Sequence, residues 1–141
     1  MRPRELDISS LIDVLEEEHR RISGKLSEMS SMLEARNMEG FRSALNSIDD
    51  TLLQHMLDEE ATLLREIIRA FGREGARESI EVFQEHVDID ALIKRMKKSL
   101  ENGSSGTEEE ITFLSSMLSE HFRKEHSRVF PCALDAARML D

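Results

Sequence analysis

Apolar residues recur at three- and four-residue intervals through four long stretches of the chain, the spacing that lines up one face of an α-helix. The first stretch runs from about Asp7 to Glu34 and carries Ile8, Leu11, Ile12, Leu15, Ile22, Leu26, Met29 and Leu33. The second, from about Glu39 to Phe71, carries Phe41, Leu45, Ile48, Leu52, Leu63 and Ile67. The third, from about Ala76 to Glu101, carries Val82, Phe83, Ile89, Ile93, Met96 and Leu100. The fourth starts near Thr107, carries Ile111, Leu114, Leu118 and Val129, and is expected to continue for a turn or two past Pro131.

The breaks are short. Gly72 and Gly75 suit a left-handed helix end, and Asn102 to Gly106 reads as a turn. Thr107 with Glu110 has the spacing of a capping box for the fourth helix. Four helices joined by tight turns predict an all-α, antiparallel up-down-up-down four-helix bundle, expected as one domain over residues 1–141.

Each stripe turns polar at its centre. The first reads Leu15, His19, Ile22; the second Leu52, His55, Glu59, Leu63; the third Val82, His86, Ile89; the fourth Leu118, His121, Glu125, Val129. Two carboxylates on core stripes need a compensating charge, and nothing basic shares those stripes. Any one of these histidines alone reads best as a core residue bonded to a carbonyl.

Their spacing argues for a common purpose. His19 to His86 is 67 residues; His55 to His121 and Glu59 to Glu125 are each 66. The flanking residues follow the same register, so the chain reads as two copies of a helical hairpin, each supplying His and then His-x3-Glu. In a pseudo-symmetric bundle, four imidazoles and two carboxylates then meet at one point. His and Glu four apart lie on one helix face, about 5.4 Å apart. Each imidazole can bind one ion and each carboxylate can bridge two. Imidazole and carboxylate without thiolate suit iron, manganese or zinc.

Composition narrows the setting. Of 141 residues, 29 are acidic and 19 basic, a net charge of −10, and such a surface repels nucleic acid. The apolar runs are too short to span a membrane, and the N-terminus lacks the apolar region of a secretory signal. The single cysteine, Cys132, allows no internal disulfide and points to a reducing compartment. The expectation is a cytoplasmic protein with no nucleic-acid or membrane partner.

The sequence resembles the hemerythrin-like, or HHE cation-binding, family over nearly its whole length. The matching segments are EEEHRRI around His19, LLQHMLDEEATLL around His55 and Glu59, FQEHVDI around His86, and SEHFRKEHSRVFP around His121 and Glu125. The resemblance implies a bundle holding two iron ions, with an oxo or hydroxo bridge between them and zinc or manganese able to stand in. It implies His19, His55, His86 and His121 as ligands, with Glu59 and Glu125 bridging. The implied partner is a small molecule such as oxygen or nitric oxide, met by a sensor, scavenger or redox protein.

The chain departs from the oxygen carriers of that family in two places. Asp90 stands where they have the second histidine of His-x3-His, and it reads either as a further metal ligand or as an acceptor for an imidazole N–H. His126 stands where they have an aspartate, and it reads as a surface or neighbouring residue rather than a ligand. Glu18 and Glu85 each precede a ligand histidine, and adjacent helix positions face apart, so both are expected in solvent. Two other readings stay open: a ferritin-like iron oxidase or storage bundle, although Glu-x-x-His occurs only in the first half, and a metal-free helical interaction module.

Overall fold

Asp7 starts the first helix by accepting the backbone N–H of Ser10 at 2.8 Å, which satisfies a donor that a helix N-terminus leaves free. In the computed structural model, which describes residues 7–103 and 107–140, α1 then covers Ile8–Glu34. Arg36 reverses the chain with a φ of 57°. Asn37 caps α2 (Met38–Glu59) by accepting from the N–H of Gly40 at 3.0 Å. A further helix, α3 (Arg65–Gly75), continues the line of α2 and breaks at Gly72, whose φ of 70° is left-handed, as the sequence predicts; Gly75, expected to share that role, does not have a positive φ.

After Ala76 come α4 (Arg77–Glu101), α5 (Thr107–Lys124) and α6 (Phe130–Leu140). The described residues contain no strand. Four rods result: α1, α2 with α3, α4, and α5 with α6. The rods form an up-down-up-down bundle in which α1 packs on α2 and α5, α4 packs on α2 and α5, and α3 meets α6.

Two further local expectations change. Glu110 does not turn back to cap its own helix but points its carboxylate across to Ser99 and Arg95 on α4. Pro131 does not end the fourth rod within a turn or two, because α6 runs on to Leu140. The reason lies just upstream. Glu125–Val129 is a π-helical turn, and this wider turn leads directly into the helix that the proline ring would otherwise kink. A second π turn, Glu60–Leu64, joins α2 to α3. Neither π turn is legible in the apolar spacing.

The core is split in two. One apolar cluster gathers Ile22, Leu26, Phe41, Leu52, Ile93 and Leu118 with their neighbours. The other gathers Leu11, Leu15, Leu63, Ile67, Val82 and Val129 with theirs. On every rod the switch from one cluster to the other falls at the polar centre of the stripe, so a layer of histidine and glutamate crosses the bundle between them.

Candidate metal centre

Each rod delivers one ring to that layer. Leu15 and Ile22, both in the core, place His19 between them on α1; Leu52 and Leu63 do the same for His55 and Glu59 on the second rod. Val82 and Ile89 flank His86, and Leu118 and Val129 flank His121 and Glu125. All six polar side chains are buried, and Glu59 and Glu125 have no exposed surface at all.

The donor atoms fall into two groups. Those of His19, His55, Glu59 and Glu125 lie within 4.8 Å of one another, and so do those of Glu59, His86, His121 and Glu125. The two carboxylates belong to both groups. In the first, the Nε2 atoms of His19 and His55 face each other at 3.1 Å. Glu125 Oε1 stands 3.2 Å from His19 Nε2, and Glu59 Oε1 stands 2.8 Å from His55 Nε2. In the second, Glu59 Oε1 is 3.7 Å from His86 Nε2 and Glu125 Oε1 is 3.3 Å from His121 Nε2.

Closeness does not amount to hydrogen bonding here. Both oxygens of Glu59, both of Glu125 and Nε2 of His86 are buried without a properly directed partner. Such orphaned groups are costly, and native cores rarely leave them. Five of them gathered in two overlapping groups could hold metal.

Electrostatics within the protein points the same way. Burial, then the neighbouring His55 ring, push His19 down to about 3. Burial also lowers His86. Burial opposes charge on His55 too, but Glu59 and then Glu18 overcome it and raise the ring to about 9. Glu59 is held low despite its burial, chiefly by His55. One protonated ring thus answers one carboxylate, and two buried carboxylates share the layer. Bound cations would balance both.

The far nitrogens of the rings are fixed as well. His55 Nδ1 donates to Glu18 Oε1 at 3.0 Å, His86 Nδ1 to Glu60 Oε2 at 2.7 Å, and His121 Nδ1 to Glu85 Oε1 at 2.7 Å. In a neutral ring these bonds put the proton on Nδ1 and leave Nε2, the atom that faces the cluster, free to donate its lone pair.

A family model, the hemerythrin HHE cation-binding domain, matches residues 8–133. The chain belongs to that family. No match was found among curated proteins or among solved structures. Membership in the HHE family brings cation binding, and the two buried histidine and glutamate groups are able to hold it.

Within this HHE domain the layer contains His19, His55, Glu59, His86, His121 and Glu125, but not Asp90. Asp90 sits one turn beyond His86 on α4, where its Oδ2 pairs with Lys94 Nζ at 2.7 Å near the surface. A one-turn step carries it past the layer, so it is neither in the metal groups nor an acceptor for a ligand imidazole. Glu18 and Glu85 are corrected in the opposite sense. Each faces away from the histidine beside it, as expected, but that direction leads to the clustered histidine of the next rod. The repeated Glu-His pair at 18–19 and 85–86 is the sequence signal for this. Glu60 has no such signal in the sequence. His126 is 45% exposed at its side chain and approaches His19 from outside the layer.

Proposed function

We propose that this HHE domain is a non-haem di-iron protein that binds or reacts with oxygen, nitric oxide or a related small molecule, as a sensor, scavenger or redox protein. The observation that carries the reading is the pair of donor groups sharing Glu59 and Glu125, whose four oxygens lack any directed partner. His19 and His55 would hold one ion, His86 and His121 the other, and the two glutamates would bridge them. Hard oxygens with imidazoles suit iron by ligand type. A bound iron pair would supply redox change and coordination positions for a small ligand.

The chain's own residues prepare such a site. Glu18, Glu60 and Glu85 hold three rings in the tautomer that presents Nε2. Leucine and isoleucine above and below the layer keep bulk water out. A cleft of about 290 Å³, lined by Glu85, Ile89, Met117, His121 and Lys124 among others, reaches one ring of the layer from the surface. It is large enough for a diatomic molecule.

The test is to make the protein with iron present, measure its metal content, reduce it without air and then admit oxygen or nitric oxide. About two irons per chain are expected, with a visible spectrum that changes on exposure and does not return under vacuum. A protein without iron, or a long-lived oxygen adduct that reverses under vacuum, would overturn the reading.

A further inference from the structure

The two halves of the centre match at every ligand but not behind them. By the internal repeat, Glu18 behind His55 corresponds to Glu85 behind His121, and both bonds are present at 3.0 and 2.7 Å. The same repeat pairs His86 with His19, and Glu60 with His126, each being the residue after a bridging glutamate. Glu60 accepts from His86 at 2.7 Å. His126 offers only its Nε2 to His19 Nδ1, at 3.4 Å. Three rings therefore rest on a carboxylate and the fourth rests on another imidazole.

We propose that His126 makes the two ion positions inequivalent, so that the ion at His19 and His55 is held more weakly than the ion at His86 and His121. The inference rests on the two-metal reading above. A carboxylate behind a ligand imidazole raises the basicity of the ring and fixes its orientation, and losing such a partner costs about 10- to 100-fold in metal affinity. An imidazole is not an anion and cannot supply this. At 3.4 Å the contact is also longer than a usual hydrogen bond from an N–H donor.

Neighbouring residues do not restore the balance. Glu16 Oε1 lies 3.6 Å from His126 Nδ1, beyond hydrogen-bond reach. Phe122 stacks on the His19 ring at 3.9 Å and Phe130 lies at 5.7 Å, which gives that ring apolar company in place of charge. On the other side, Lys124 draws on the second oxygen of Glu85 at 2.7 Å, but it is also paired with Glu81. Glu85 keeps its first oxygen for His121. His126 is thus a positioning residue for one half of the centre.

The experiment isolates one position at a time, because two adjacent cations repel and would bind in steps even at identical sites. The metal-free full chain is titrated with cobalt(II), by calorimetry and by visible absorption, as the native form, as His19→Ala and as His86→Ala. The His19→Ala chain keeps the His86 and His121 position and should bind its cobalt about 10- to 100-fold more tightly than the His86→Ala chain. Adding His126→Glu to His86→Ala should close most of that gap, and adding Glu60→Gln to His19→Ala should close it from the other side. Should an alanine chain lose its helicity, release of cobalt from the full chain to a chelator answers instead. There His126→Glu should slow the faster-leaving ion and Glu60→Gln should speed the slower one. Equal affinities in the two alanine chains, or no effect of His126→Glu in either measurement, overturn the inference. Failure of the two-metal reading looks different: the native chain would then take up no cobalt, and both proposals would fall.

Discussion

The Nε2 atoms of His19 and His55 face each other at 3.1 Å across the bundle. Two neutral rings so placed make a hydrogen bond only if one of them carries its proton on Nε2. The bond from His55 Nδ1 to Glu18 favours the other tautomer, so two lone pairs are brought together once His55 gives up the second proton that Glu59 and Glu18 help it keep. A protein gains from that arrangement when a cation stands between them.

Replacing both His55 and His121 with alanine should therefore remove metal from both positions, since each position loses one of its two imidazoles. Metal analysis of the purified double variant, with helicity checked alongside, reads the result. Retention of two ions per chain would rule out the ligand assignment.

Glu18→Gln and Glu85→Gln keep a hydrogen-bond acceptor behind His55 and His121 but remove its charge. Each should weaken metal binding by about 10- to 100-fold with little change in the helical spectrum. Calorimetric titration against the native chain checks it. An unchanged affinity would mean that these carboxylates only fill space.

Asp90→Ala should leave metal content untouched. Its one recorded bond is to Lys94 near the surface, and surface changes away from special features shift stability by roughly 0.5 kcal/mol or less. A loss of one ion on this substitution would return Asp90 to the ligand set.

The metal-free chain should lose stability as pH rises. His55 is raised to about 9 from 6.5, so its contribution is complete below pH 6.5 and is lost as pH climbs through 9. With that proton gone, Glu59 stays buried beside a neutral ring. On the acid side His19, pushed down to about 3, works against the fold below 6.5, because only the unfolded chain takes up its proton. Thermal melts of the metal-free form should peak near pH 6.5 and fall by pH 9.5. The metal-loaded form should melt higher throughout and decline less between those values. A metal-free melting temperature independent of pH from 6.5 to 9.5 would contradict the His55–Glu59 pairing.

The sequence carried the bundle and the six clustered residues for one physical reason. A polar side chain at the centre of an apolar stripe stands out, and Leu15-His19-Ile22 repeating as Val82-His86-Ile89 cannot be coincidence of composition. The residues behind the rings were harder to read. Glu18 faces away from His19 on its own helix, and only the packing of α1 on α2 shows that it faces His55 instead. Glu60 follows a π turn's entry, and no spacing rule predicts where a widened turn will aim a side chain. Asp90 falls outside the layer for the converse reason: one turn along a helix keeps the face but changes the height, and the layer is only one residue thick on α4.

The division of the apolar core by this layer also bears on how the chain comes apart. Without metal, the cluster around Leu52 and Leu118 and the cluster around Leu15 and Leu63 meet across the histidine and glutamate layer, whose carboxylate oxygens lack directed partners. Each end of the molecule can then open on its own, as separate cooperative units do. Amide hydrogen exchange in the metal-free protein should show two levels of protection, with α3 and α6 exchanging apart from the α2 and α5 segments. Metal binding should merge them into a single level, so that the centre acts as the rivet through which the two ends share one unfolding transition.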